Sequence, residues 1–297
     1  MRLGVDLGGT KTEIIALADD GRELLRQRIP TPQGDYLATL MSIAGLVESV
    51  ENSLGQRGTV GIGIPGAESL ATGLIKNANS TCLIGKPLKR DLQALLQREI
   101  RLANDANCFA LSEAVDGSGQ DAEIVFGIIL GTGVGGGIVI RRQVLTGANA
   151  IAGEWGHNPL PLPSGDDLPL PPCYCGRTGC TEAYLSGPAL AADHRRHTGQ
   201  TLTASEIDRR AADGDAGCEA SLQRYEERLG RALAGVINLL DPQVIVIGGG
   251  LSNMQRLYRN LPDTCRPHIF SDGFSTKFLP PKHGDSSGVR GAAWLWN

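Results

Sequence analysis

Three glycine-rich stretches of this 297-residue chain carry residue types that can grip an anion. In Asp6-Leu7-Gly8-Gly9-Thr10-Lys11-Thr12 two residues without a Cβ sit in a tight turn, so backbone N–H groups can approach a phosphate closely while Thr10 and Lys11 add donors. Gly131-Thr132-Gly133-Val134-Gly135-Gly136-Gly137 supplies a second such turn, and Gly248-Gly249-Gly250 follows an apolar strand whose end offers backbone to a nucleotide. Each stretch also has an ordinary reading, since Gly-Gly is a favoured hairpin turn and a triple glycine suits a tight strand-to-helix connection. Neither a P-loop G-x-x-x-x-G-K-[ST] nor a Rossmann G-x-G-x-x-G in a βαβ unit is present, which removes the two commonest nucleotide grips.

Phosphoryl transfer to a hydroxyl benefits from a carboxylate that accepts its proton, because a hydroxyl is a poor nucleophile at neutral pH. Asp105, within Asn104-Asp105-Ala106-Asn107, is the candidate. It stands where a strand gives way to a helix, a place where Asp is also a common N-cap. Cys173-Tyr174-Cys175-Gly176-Arg177-Thr178-Gly179-Cys180 puts three thiols in one loop, a set that tetrahedral Zn²⁺ takes readily; unrelated free thiols are the other reading. His194, His197 and His268 fit no ligand spacing, and Cys82, Cys108, Cys218 and Cys265 read as small buried apolar residues.

The elements that must position these residues alternate between β and α patterns. Residues 2–6 and 12–17 form a hairpin around the first glycine turn, and 22–29 add a third strand. Apolar residues at helical period cover 36–51, a strand follows at 60–64, then a helix at 91–98, a strand at 100–103 and a helix at 105–115. The second half repeats the opening, with strands 124–130 and 136–140 around Gly131-Thr132-Gly133, which reads as an internal duplication. Helices follow at 187–197, 203–212 and 217–239, then a buried strand at 244–247 and a last helix at 285–296.

A net charge of -4 without a Lys/Arg block gives no footprint for nucleic acid or an anionic membrane. Aromatic residues make up 4% of the chain, too few for base-stacking platforms. No apolar run reaches the roughly 18 residues of a membrane span, and the first residues lack a signal-peptide pattern. A cytoplasmic protein with a small neutral partner is expected.

The order of Asp6-Leu7-Gly8-Gly9-Thr10-Lys11, Gly63-Ile64-Pro65-Gly66, Asn104-Asp105-Ala106-Asn107, Gly131-Thr132-Gly133, Glu154-Trp155-Gly156-His157 and the cysteine cluster resembles the ROK family of repressors, open reading frames and sugar kinases. Residues 76–81 and 282–294 are most similar to bacterial fructokinases that also accept mannose. The resemblance implies an α/β, two-lobed actin-like ATPase fold of the sugar kinase/Hsp70/actin superfamily, with ribonuclease H-like lobes and an interlobe cleft. One lobe would comprise 1–115, completed by a C-terminal helix at 284–297, and the other 116–283 with a zinc-binding insert at 157–180.

The implied activity is ATP-dependent phosphorylation of a hexose, fructose at O6 first, with mannose or glucose as further acceptors, by a homodimer. Asp105 would be the general base. Asn79, Asn104, Glu154, His157 and Glu182 would hydrogen-bond sugar hydroxyls, and Asp6 would help position Mg²⁺. Gly8, Gly9, Thr10, Lys11, Gly131, Thr132, Gly133, Gly248, Gly249 and Gly250 would hold ATP. His157, Cys173, Cys175 and Cys180 would bind a structural zinc, although the stretch between His157 and Cys173 is longer than in many family members. A sugar-responsive repressor would need a helix-turn-helix domain ahead of the first strand, expected here at residue 2, and a silent sugar sensor would be expected to lose the base or a phosphate turn.

Overall fold

The structure is a computed structural model describing residues 1–78, 80–284 and 287–296. In chain order its elements begin with strands β1 (Arg2–Leu7), β2 (Lys11–Leu17) and β3 (Glu23–Pro30), helix α1 (Tyr36–Leu54) and β4 (Thr59–Ile64). Short strands β5 (Ala67–Glu68) and β6 (Ile75–Lys76) precede α2 (Leu88–Leu96), β7 (Ile100–Asn104) and α3 (Asp105–Val115). Then come β8 (Ile124–Leu130), β9 (Val134–Ile140), β10 (Gln143–Val144), α4 (Glu182–Leu185), α5 (Gly187–Thr198), α6 (Ala204–Ala212) and α7 (Ala216–Leu240). Strand β11 (Val244–Gly248), α8 (Gln255–Cys265), β12 (Lys277–Leu279) and α9 (Ser287–Ala293) complete the order.

Two compact units form: residues 1–121 with 137–152 and 282–297, and residues 122–136 with 153–281. The stretch 137–152, which sequence alone places in the second lobe, packs in the first unit, where a Cβ on Gly137 would lie 2.6 Å from the Ala106 carbonyl oxygen of α3.

One sheet has the order β3-β2-β1-β4-β7, with β1, β2 and β3 antiparallel and β1, β4 and β7 parallel. The other has the order β10-β9-β8-β11-β12, with β8, β11 and β12 parallel. The positions correspond one to one, a topological match to the repeat read from the glycine turns. Helix α1 starts where the Asp35 carboxylate accepts from Ala38 N–H and ends at Gly55 in the left-handed region; between them Leu40, Ile43, Val47 and Val50 bury one face.

Several features depart from the sequence reading, the short β5, β6, β10 and α4 among them. Helix α2 begins at Leu88, three residues early, because Pro87 at the cap position fixes the entry. No element is expected between 251 and 283, yet α8 and β12 lie there; Pro262 inside α8 removes one N–H and breaks the pattern, and β12 is three residues long. The final helix is α9 followed by a tight turn of helix at Trp294–Trp296; positions 285 and 286 lie outside the described residues.

Helix α9 crosses the first sheet with almost nothing between the backbones. A Cβ on Gly61 of β4 would overlap the Ala292 carbonyl oxygen, and one on Gly4 of β1 would lie 2.5 Å from Ala293 N. On the opposite side of the helix, Gly291 meets α3, where its Cβ would lie 2.9 Å from Cys108 Cα. Dense packing of this kind leaves no room for a methyl group. Gly61→Ala is expected to destabilise the protein by about 3 kcal/mol or more, read as a lowered urea midpoint or loss of soluble protein. Gly235→Ala, in α7 with nothing within 4 Å of the added Cβ, should instead gain about 0.5–1 kcal/mol.

Candidate active site

In the first unit, the chemistry gathers at the ends of β1, β4 and β7. Asp6 leaves β1 directly opposite Glu13 of β2. The turn that follows turns its carbonyls toward the protein: Thr31 Oγ1 donates to Gly8 O (2.8 Å), Gln33 donates to Gly9 O, and Thr31 N donates to Thr10 O (3.0 Å). With those acceptors engaged, exposed Gly9, Thr10 and Lys11 face solvent as donors.

Asp105 is the first residue of α3, but the capping residue is Asn104, whose Oδ1 accepts from Ala106 N at 2.9 Å. Asp105 Oδ1 shares that N–H at 2.8 Å. Asn104 Nδ2 donates to Gly66 O (3.2 Å), so among the described residues one amide hydrogen remains for a ligand hydroxyl. Gly66 in turn needs its positive φ of 87° and its missing Cβ, which would lie 2.9 Å from Ala78 N. The Gly63–Gly66, Lys76–Ala78 and Asn104–Asp105 motifs are thus neighbours; Asn79, expected among them, lies outside the described residues.

Burial, Asp105 and Glu13 push the Asp6 carboxyl up to about 6, outweighing Lys11 and Arg28. Glu13, itself buried, is held by Arg28 (3.0 and 2.6 Å) and by an ion pair with Arg26. Behind both aspartates the fully buried Cys108 thiol is raised by burial and then by Asp6 and Asp105. A half-buried carboxylate among other carboxylates is a ready partner for a cation.

In the second unit the residues surround the start of β9. Gly131 N donates to Gly133 O (3.0 Å) to close the turn. Gly249, with φ 80°, presses on Leu130, the residue before that turn: its Cβ would lie 2.7 Å from Leu130 C, so Gly248–Gly250 and Gly131–Gly133 are adjacent. The Glu154–His157 motif locks onto the same strand, for Trp155 Nε1 donates to Gly135 O (2.9 Å) and a Cβ on Gly156 would lie 3.1 Å from Val134 C. Trp155 also meets Phe126 edge-on, with ring centroids 5.8 Å apart. Glu182 Oε2 accepts from Val134 N at 2.8 Å.

The ligand atoms of His157, Cys173, Cys175 and Cys180 lie within 4.8 Å of one another. Cys175 and Cys180 sulfurs are 3.6 Å apart, and Cys173 Sγ is 3.7 Å from His157 Nδ1. Tetrahedral zinc with sulfur at roughly 2.3 Å requires edges of about 3.8 Å. All four residues therefore fit a closed zinc shell. The Arg177 backbone and side chain draw the Cys175 thiol down to about 6, whereas burial pushes Cys180 up to about 12.

One residue escapes the sequence reading: Tyr174, whose hydroxyl lies 3.1 Å from His157 Nε2. Partial desolvation, then Glu182, Cys173 and Glu154, raise its pKa, although the side chain is 77% exposed. The imidazole has two nitrogens, and with Nδ1 in the cysteine cluster a sugar hydroxyl at Nε2 would take the place of Tyr174.

Residues 2–297 match the model of the ROK family. The N-acetyl-D-glucosamine kinase of Vibrio atlanticus is 41% identical over 299 aligned residues, covering 99% of each chain. That of Yersinia pseudotuberculosis is 40% identical, covering 99% of this chain and 98% of the relative. Among solved structures, a ROK hexokinase from Thermus thermophilus superposes with a TM-score of 0.88 at 31% identity, over 99% of this chain and 97% of that one. A ROK family glucokinase from Streptomyces griseus, solved with glucose and AMPPNP, gives 0.77 at 28% identity, over 99% and 98%. The fold is the α/β actin-like ATPase fold of the sugar kinases. Match, relatives and topology agree: the chain belongs to the ROK family.

Proposed function

We propose that this protein is an ATP-dependent hexose kinase whose first acceptor is N-acetyl-D-glucosamine. The observation that carries the reading is the site at the head of α3: Asn104 caps the helix, and Asp105 stands exposed beside a second, half-buried carboxylate, Asp6. Full-length identity of 40–41% to N-acetyl-D-glucosamine kinases supports that acceptor ahead of fructose, which rests on the motif resemblance at 76–81 and 282–294 alone.

In the proposed reaction Asp105 takes the proton of the sugar's primary hydroxyl as its oxygen bonds to the γ-phosphorus of ATP. The bond from that phosphorus to the bridging oxygen breaks, and ADP leaves with the electron pair. Mg²⁺ arrives with ATP as part of the substrate, and Asp6 would hold it. Thr10, Lys11, Thr132 and the turn amides would spread phosphate charge, while Gly248–Gly250 would lie under the nucleotide. Glu154, Glu182 and Asn104 offer hydrogen bonds of fixed direction to sugar hydroxyls. Zn²⁺ on His157, Cys173, Cys175 and Cys180 would have four protein ligands and no open position, a structural assignment.

A coupled ADP-release assay over N-acetyl-D-glucosamine, fructose, mannose and glucose should give the highest kcat/KM with the first. Asp105→Asn should lower kcat by roughly 10²-fold or more. No sugar-dependent turnover from the wild type would sink the kinase reading, and undiminished kcat in the variant would remove Asp105 as base.

Asp6 gives a pH test with a definite sign. Its folded value, about 6, stands above the ordinary 3.8, so ionising it costs stability. That cost is absent below the unfolded value, accumulates as pH rises between the two values, and is complete above the folded one. Asp6→Asn is therefore expected to be more stable than wild type at pH 7.5, by about 3 kcal/mol, and by roughly half that at pH 5, while losing kinase activity. Equal urea midpoints at both pH values would contradict it.

Protein purified without added metal should contain about one zinc per chain by elemental analysis. Less than a tenth of that would count against the four-ligand site.

A further inference from the structure

We propose that Glu182 is a positioning residue for the phosphate-binding turn at Gly131–Gly133, in addition to any contact it makes with sugar. The inference rests on the kinase reading only for what the turn holds; the anchoring itself is a matter of geometry.

Two hydrogen bonds clamp the turn, one from each end of the segment that carries α4. At the head of α4, Glu182 Oε2 accepts from Val134 N, the first amide after the turn, at 2.8 Å. Just past its end, Gly187 N donates to Gly131 O at 2.8 Å. The turn itself is shaped for the first bond, because a Cβ on Gly133 would stand 2.7 Å from the same Glu182 oxygen. A side chain at 133 would have to push the carboxylate off its place on the Val134 amide.

The carboxylate is in turn fixed from behind. Asn158 O accepts from both Thr181 N (2.8 Å) and Thr181 Oγ1 (3.0 Å), tying the residue before Glu182 to the residue after His157. Val134 is gripped on its other side by the Gly156 backbone. A charge-assisted bond to a backbone amide is among the stronger hydrogen bonds available, and it holds the first β9 residue so that the preceding amides keep one orientation.

A residue that only binds sugar would leave nucleotide affinity untouched in the absence of sugar. Glu182→Ala should raise the Kd of the Mg²⁺ complex of AMPPNP, measured by calorimetry without sugar, roughly tenfold. Hydrogen–deuterium exchange across 131–135 should quicken by at least a similar factor. Glu182→Gln keeps a carbonyl oxygen for Val134 N and should restore both. Gly133→Ala, which displaces the carboxylate without removing it, should reproduce the alanine phenotype and stands in if Glu182→Ala does not fold. Unchanged exchange and unchanged AMPPNP affinity in Glu182→Ala, with only the sugar KM raised, would overturn the proposal. Faster exchange in the variant, in a protein whose wild type binds no AMPPNP, would uphold the anchoring and instead count against the kinase reading.

Discussion

Backbone lying directly on backbone, with no Cβ to separate them, is the constraint on which both units depend. In the first, α9 lies on β1 and β4 at Gly4 and Gly61 and on α3 at Gly291, so the strand that ends in Asp6 and the helix that begins with Asp105 share one rigid partner. The same helix reaches Asp6 itself: a Cβ on Gly288 would lie 3.3 Å from Asp6 Oδ2. In the second unit, Gly156 rests on Val134 and Gly249 on Leu130, which brings three separated motifs to the start of one strand. Side chains between such elements would add adjustable rotamers; direct backbone contact removes that freedom.

Charge is treated differently at the site and away from it. Burial alone would raise Asp167, but hydrogen bonds from Arg231 and Arg228 outweigh it and hold the carboxyl below its usual range. Asp116 is treated alike by His283 and Arg290, and Asp193 by Arg228 and Arg224. Those carboxylates fasten structure: Asp167 ties the proline-rich stretch to α7 through Arg228 (2.7 Å) and Arg231 (2.7 Å). At Asp6 the balance runs the other way, since the neighbouring carboxylates of Asp105 and Glu13 add to burial. An arginine placed there would stabilise the fold and close the place to a cation, so the partly compensated charge is a cost that fits the proposed cation role.

What sequence reveals of this arrangement follows the range of each interaction. Glycine turns, the Asn104–Asp105 switch and the cysteine spacing are local patterns, and each lies where the pattern puts it. The topological repeat was legible too, because each half opens with strand, glycine turn and strand. Gly61 belongs to a glycine cluster at 61–66 that marks a close backbone approach, but nothing near Gly4, Gly61 and Gly291 in the chain says which elements they bring together. Helix α8 was hidden by Pro262 and β12 by its brevity. Tyr174 was masked by its own neighbours, for a residue between two cysteines reads as spacing, while its hydroxyl bonds to a histidine 17 positions away.

Glu182 shows the limit most clearly, because hydroxyl recognition accounts for a carboxylate at that position and hides its second use. The bond to Val134 spans 48 positions and depends on the absence of a side chain at Gly133. A carboxylate has two oxygens, and here one is committed to a backbone amide, so its other oxygen points in a fixed direction. The fixed direction is what discrimination among hexoses requires, since acceptors that differ by one hydroxyl or one acetamido group are separated only by sites that leave a partner unpaired when the wrong sugar enters. On the proposed reading the bond that steadies the turn at Gly131–Gly133 also steadies the oxygen that would read the sugar, so one constraint would serve rate and selectivity together.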